Sequence, residues 1–353
     1  MAGDATGGQW MPEPLTTDGI TADFYSDMKT KPTPAMLQAL VEADVGDEQK
    51  GKDPTTNELY HRIAELTGKE AAVLLPTGTM CNEIALRVHC EPGSEVICAA
   101  SCHIVNFEAG GPAALSGVMI RTIDDDHGRF TADQLRGAVR PPSRYAPESR
   151  LVAVEARSQG LKTHMDGARL FNACVKTGIS ASDYAAPFDT IWIDLTKGLG
   201  GFAGAVLAGS AGFVSAAWRL KQQWGGGLWQ SGYIAATGLY ALDNHIDRLA
   251  DDHALASSIG ERLKAMANVR SVLPLETNIV LFDIEDTGPT ASDIHDQLLQ
   301  QGVRVGVFGE RTIRIVSHLE VDQAGSDHLS RCLEDLLGPT PSYDPRSAKS
   351  VRA

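Results

Sequence analysis

Short apolar runs alternate with amphipathic stretches through the middle of this chain. Between Asn57 and Leu66, the residues Leu59, Ile63 and Leu66 recur on one face at helical spacing, which predicts a helix. Ala71 to Leu75 reads as a buried strand and Thr79 to Val88 as the next helix. Val96 to Cys98, Val118 to Thr122 and Leu151 to Val154 are further strand-like runs. Such alternation predicts the α/β class, a mainly parallel sheet flanked by helices. After about residue 250 the order changes. A helix over Ala254 to Met266 precedes a strand over Asn278 to Asp283, then a helix carrying Ile294, Leu298 and Leu299. Arg304 to Phe308 and Thr312 to Ser317 read as strands before a last helix ending at Leu337. That order predicts a small C-terminal α+β domain.

These patterns divide the chain into four expected parts. Residues 1–25 are polar with Gly and Pro, a flexible N-terminal arm; 26–250 form a large domain; 251–338 form the small one. Residues 339–353, with three prolines, serines and basic residues, read as a disordered tail. A length of 353 residues fits two domains, and 43% hydrophobic with 22% charged residues supports a sizeable core. The net charge of −14 argues against a nucleic-acid partner. Six cysteines are too sparse for a disulfide framework and point to a reducing compartment. Residues 1–20 lack the pattern of a signal peptide, and no apolar run reaches the length of a membrane span. The expectation is a cytoplasmic protein without a membrane partner.

Two segments 31 positions apart carry the chemistry: Leu161-Lys162-Thr163-His164-Met165-Asp166-Gly167-Ala168-Arg169, and Phe188 through Lys197-Gly198. Each delivers an ionisable side chain at the end of a strand-like run, first the carboxylate Asp166 and then the amine Lys197. A glycine follows each, read as a sharp turn off the sheet. An amine for a Schiff base and an acid beside a pyridinium nitrogen are what pyridoxal phosphate chemistry requires. Leu74-Leu75-Pro76-Thr77-Gly78-Thr79 reads as strand, turn and helix start. Gly78 would allow close backbone approach to a ligand, and the new helix's free N–H groups with the Thr79 hydroxyl would form an anion site. A capped helix without a ligand is the simpler reading of that segment alone.

His103 follows the strand Val96–Cys98, where loops of a parallel sheet gather around ligands. It could lie on a cofactor ring, carry a proton, or be an ordinary surface histidine. His89, Cys90, Cys98, Cys102 and His103 lack the paired spacing of a structural zinc site, so no metal is expected. Arg169 and Arg314 offer guanidinium forks for a substrate carboxylate. Arg314 alternates with Ile313 and Ile315 and so faces away from them; an exposed strand residue would also fit.

Taken together, these residues resemble the L-threonine aldolase family of fold-type I pyridoxal-phosphate enzymes, in the β-eliminating lyase superfamily. The resemblance runs through Ser26-Asp27, Gly51-Lys52-Asp53-Pro54-Thr55, Thr77-Gly78-Thr79-Met80-Cys81-Asn82, Ala109-Gly110-Gly111, His164 to Arg169, Lys197-Gly198, Gly225-Gly226-Gly227, Arg314 and His318. It implies reversible cleavage of L-β-hydroxy-α-amino acids such as threonine, allo-threonine or phenylserine to glycine and an aldehyde. Lys197 would hold pyridoxal phosphate covalently, Asp166 would pair with its ring nitrogen, and His103 would stack on the ring. Gly78 and Thr79 would bind phosphate, and Ser26, Arg169 and Arg314 the substrate carboxylate, with Arg169 also near the cofactor. Homodimers or homotetramers with shared active sites are implied as well. Two further readings share this scaffold: a lyase performing β-elimination or transamination, and a non-catalytic relative.

The chain departs from the family pattern in three places. Lys50 stands where an aromatic residue is usual, and Trp229 where Arg is common, both of which bear on the phosphate contacts the family shares between subunits; Trp229 suggests a subgroup accepting bulkier, aromatic substrates. The third lies between strand Leu151–Val154 and strand Leu161–His164. A parallel crossover needs about a dozen residues, and the sequence reads as internally deleted between Glu155 and Ala156. The expected consequence is a strained region or poor cofactor binding.

Overall fold

The structure is a computed structural model and describes residues 19–153 and 161–338. Its strands in chain order are β1 (Ala22–Asp23), β2 (Ala71–Leu75), β3 (Glu95–Ala99), β4 (Met119–Ile123), β5 (Ser149–Ala153), β6 (Lys162–Gly167), β7 (Thr190–Asp194), β8 (Ala205–Gly209), β9 (Val269–Val272), β10 (Ile279–Ile284), β11 (Val303–Arg304), β12 (Gly306–Val307) and β13 (Thr312–Val316). Seven of them form a central sheet in the order β2-β8-β7-β6-β5-β3-β4. Only β8 runs against its neighbours, β2 and β7; the pairs from β7 across to β4 are parallel. This is the expected architecture.

Side-chain alternation explains why helices cover both faces. Leu74, Ile191, Ile193, Val206 and Ala208 enter one core with Met36, Leu59 and Ile63. Their strand neighbours Val73, Leu75, Trp192, Ala205 and Leu207 enter another with Ile84 and Val214. A strand buried on both sides must be apolar at every position, and each fully buried Leu or Ile side chain contributes about 1.5–3 kcal/mol.

The helix foreseen from Asn57 starts earlier, at Pro54, as α2 (Pro54–Thr67), the second helix after α1 (Pro34–Val41). Proline fits the first helical position, and the Asp53 side chain caps the Thr56 N–H at 2.9 Å. Gly68, at φ 64°, ends it. Helix α3 (Gly78–His89) follows β2 directly, and the short α4 (His103–Asn106) follows β3.

The C-terminal unit is a four-stranded antiparallel sheet, β12-β13-β10-β9, covered by helices Leu249–Lys264, Ala291–Gln300 and Gln323–Leu337. The single strand foreseen over Arg304 to Phe308 is divided: β11 pairs with β1, whereas β12 pairs with β13. Of the arm foreseen over 1–25, residues 1–18 lie outside the described residues. Ala22 and Phe24, by contrast, are buried in the C-terminal core, where β1 pairs with β11. The tail foreseen over 339–353 also lies outside the described residues, as does the Glu155–Ala156 junction. The strands flanking that junction pair in parallel, Leu151 with Lys162 and Ala153 with His164.

Candidate active site

Lys197 stands three residues beyond the end of β7, on a short turn that the backbone takes at the lysine itself. Its φ is +52°, while Gly198 is absent from the positive-φ glycines and Gly200 takes φ +73°. The glycine after the lysine is therefore not the sharp turn. A non-glycine residue in the left-handed region costs about 1–2 kcal/mol, a cost borne by the surrounding packing. The Lys197 ammonium pairs closely with Asp194 Oδ2 and lies 5.5 Å from the Trp192 ring centre. Asp194 is oriented in turn by the Thr196 N–H at 2.9 Å and hydroxyl at 2.7 Å.

Asp166 lies near the end of β6, opposite Trp192 of β7. Gly167 after it also makes no turn; it continues the strand, and an added Cβ would lie 2.0 Å from the Trp192 carbonyl oxygen. Close strand approach, not bending, requires that glycine. The Asp166 carboxylate accepts from Asn82 Nδ2 at 3.2 Å and from the Ala168 N–H at 3.1 Å. Its side chain is open to solvent on one side, yet dense protein around the rest raises its pKa by desolvation. Solvent contact is the stronger influence for a group this open, and it favours the ionised form. The positive charge of Lys197 is felt at both Asp166 and His103, so the three belong to one site at the sheet edge.

His103 opens α4, with its side chain half exposed and its Nδ1 at 2.8 Å from Glu108 Oε1. The hydrogen bond to Glu108 raises the imidazole pKa, with the opposing effect of burial second. Gly78 and Thr79 form the first turn of α3, where Thr77 caps the Met80 N–H. The close contact Gly78 permits is with Trp192, whose Cη2 would be 2.2 Å from an added Cβ. Thr79 is exposed beside it.

The arginines gather around Asp27, which sequence reasoning noted only as part of a motif. Arg169 donates to its two oxygens at 2.8 and 2.6 Å, and Asn278 Nδ2 adds a contact at 3.2 Å. Burial alone would raise the Asp27 carboxyl, but Arg169 and Asn278 hold it below the usual carboxylate range. Ser26 is buried, and its hydroxyl accepts from the Met28 N–H at 3.2 Å. Arg314 faces away from the buried Ile313 and Ile315, as its alternation foretold. It donates to the Tyr25 carbonyl at 3.2 Å and stacks 4.1 Å from the Phe308 ring centre. Its Nε is buried with no hydrogen-bond partner among the described residues. Trp229 is exposed; its carbonyl accepts from the Glu48 N–H at 2.9 Å. Lys50 is exposed and pairs with Asp47 at 3.3 Å.

Asn82, Glu108, Asp194 and Asp27 are the residues that motif reading did not assign. Asn82 and Asp27 were within quoted segments, and Asp194 is three residues before the lysine; only contacts reveal their work. The assembled groups (an amine, a carboxylate, an imidazole, an open helix N-terminus and two guanidiniums) suit a conjugated, anionic group and a substrate carboxylate.

Known proteins resemble this chain over most of its length. A family model described as beta-eliminating lyase matches residues 23–157 and 155–287. The two matches meet where the sequence reads as deleted. Low-specificity L-threonine aldolase 1 of Arabidopsis thaliana is 33% identical, covering 90% of this chain and 96% of the relative. Low specificity L-threonine aldolase of Escherichia coli K12 is 34% identical, covering 85% and 95%. The solved Leishmania major threonine aldolase shares the fold, with a TM-score of 0.75 at 19% identity, covering 90% of this chain and all of that one.

Proposed function

This chain belongs to the beta-eliminating lyase family, and on that premise we propose that it cleaves L-β-hydroxy-α-amino acids to glycine and an aldehyde, using pyridoxal phosphate. Threonine and allo-threonine are the first substrates to consider. The observation that carries this reading is the convergence of Lys197, Asp166 and His103 at one edge of the sheet, beside a pair of arginines.

The donor set fits the cofactor. Lys197 would hold it covalently, Asp166 its ring nitrogen, His103 its face, and the first turn of α3, at Gly78 and Thr79, its phosphate. When bound, the cofactor supplies an electron sink for the pair released as the Cα–Cβ bond breaks. The protein's own part is orientation and proton control. Asp194 pairs with the Lys197 side chain and fixes its direction off the turn. Asp166 stabilises positive charge at the ring nitrogen, an effect that grows as water leaves the site. Arg314, with Nε buried and unpartnered among the described residues, is suited to a substrate carboxylate. Arg169 spends its fork on Asp27 and supports that arrangement through the turn it braces, and Ser26 caps the same turn. His103 would take the β-hydroxyl proton in this reading.

Trp229 in place of the family's common Arg motivates the idea of an aromatic-accepting variant, which a comparison of threonine with phenylserine turnover tests. Exposed Met28, Phe202 and Trp229 are suited to contact with a second copy, and sedimentation at working concentration would show a homodimer or homotetramer. The compartment proposed is the cytoplasm; no helix among the described residues is long and apolar enough to cross a membrane.

The test is the visible spectrum of the protein with pyridoxal phosphate, before and after glycine is added. The lysine-bound cofactor band should form and then change with glycine. In Lys197→Ala that band should be absent, with turnover lower by on the order of 10³-fold or more. An unchanged spectrum in that variant would end the reading.

A further inference from the structure

Behind His103 lie two buried carboxyl groups that the reaction as described leaves unused. Glu83 on α3 and Glu108 beyond α4 are 2% and 5% exposed. Neither Glu83 oxygen, nor Glu108 Oε2, has a conventional hydrogen-bond donor among the described residues. Glu108 is the neighbour that acts on the Glu83 carboxyl, by its charge and as a hydrogen-bonding group, and two adjoining buried carboxyls without other donors call for a proton between them. Gly111 makes the room: an added Cβ there would lie 2.0 Å from Glu83 Oε1.

The hydrogen-bond directions around Asn82 decide which carboxyl holds that proton. The Trp192 indole can only donate, so the Asn82 atom 2.8 Å from it must be the carbonyl oxygen. The Asn82 amide nitrogen therefore donates both its hydrogens, one to Asp166 at 3.2 Å and one to Glu108 Oε1 at 2.7 Å. Upstream, His164 Nε2 lies 3.1 Å from the same Asn82 oxygen, and its Nδ1 lies 2.9 Å from the Thr190 hydroxyl. His164 must donate to Asn82 and so accept from Thr190. Glu108 Oε1 is thus an acceptor for Asn82, and His103 Nδ1 approaches the same atom at 2.8 Å.

We propose that Glu83 is the acid of a carboxyl–carboxylate pair, donating its proton to Glu108 Oε2 so that Glu108 stays anionic and holds His103 as the Nδ1–H tautomer. Glu83 is then a positioning residue: it acts through Glu108 to leave His103 Nε2 as the basic nitrogen. Two buried like charges in contact cannot both persist, and the acid of the pair belongs on the member without a donor of its own. Burial, then the neighbouring Glu108, raises the Glu83 carboxyl to about 8, in keeping with this. His103 from α4 and Cys81 from α3 are the other ionisable groups beside Glu108, and Asp166 from β6 and Lys197 from beyond β7 act in turn on His103. The Cys81 thiol is pushed well up by burial and stays neutral. The role in turnover rests on the aldolase reading above, whereas the shared proton does not.

Infrared difference spectroscopy of the full-length protein, with and without pyridoxal phosphate, separates the two. A protonated-carboxyl C=O band should persist at neutral pH, titrate near the Glu83 value of about 8, and vanish in Glu83→Gln. That variant keeps a neutral donor and should hold kcat/KM and its pH profile within about twofold. Glu83→Ala should move the acidic limb of the kcat/KM profile down by about one pH unit, a tenfold change in proton affinity. A missing band, a band that survives Glu83→Gln, or equal loss in the Gln and Ala variants would overturn the proposal. If Glu83→Ala does not fold, the wild-type and Glu83→Gln spectra still decide. A band that behaves as stated in a protein with no aldolase turnover would sink the functional reading alone.

Discussion

One amide, Asn82, orients charges on both sides of the site. It joins Trp192 and His164 to Asp166 and Glu108, so Asn82→Asp replaces a double donor by a third carboxylate. We expect that variant to lose about 3 kcal/mol of stability, measured by urea unfolding; a loss below about 1 kcal/mol would contradict the network. Proton linkage gives a second test. His164 is held down at about 3 and His89 at about 4, each chiefly by burial. Histidines with depressed folded values lend stability above their ordinary 6.5 that is lost as pH falls through the folded values. Unfolding midpoints should therefore drop between pH 6.5 and about 3, and a midpoint flat over that window would contradict the neutral-histidine chain. Glu83 works with opposite sign. Its raised value means stability complete below the usual 4.5 and lost as pH rises through about 8. At this scale the sequence singled out Lys197, Asp166 and His103, the proposed reacting groups, because that combination of chemistry is rare. Their partners, Asn82, Glu108, Asp194 and Asp27, are common residue types whose roles arise only from contacts across the chain.

Among elements, the helices and strands were legible because both cores demand apolar residues at fixed spacing. Ala71–Leu75 is apolar at every position, and its bounds are those of β2. Ends were less legible. Pro54 lies outside the apolar periodicity of α2 but starts it, since capping by Asp53, not hydrophobicity, sets that boundary. The glycines after Asp166 and Lys197 were read as turns, whereas Gly167 serves strand contact and Lys197 itself takes the left-handed conformation. That difference is testable. Gly167→Ala would press a methyl group against the Trp192 carbonyl at 2.0 Å. It should cost about 1–3 kcal/mol and weaken cofactor binding through displaced Asp166, both readable by thermal unfolding and fluorescence titration. An unaltered melting temperature and affinity would contradict the close-approach account.

For the whole molecule, strand–helix alternation followed by a change of order anticipated a parallel sheet with a C-terminal α+β unit. What it did not anticipate is the return of Ala22 and Phe24 into the C-terminal core. That contact joins chain ends too distant for periodicity to connect. It also carries Asp27 to Arg169 and Asn278, so the proposed substrate side of the site draws on three distant parts of the sequence. The most direct test of the account is product analysis of the pyridoxal-phosphate-loaded protein with L-threonine. Glycine and acetaldehyde should appear in equal amounts and depend on Lys197. A 2-oxo acid with ammonia, or an equal yield from Lys197→Ala, would contradict it.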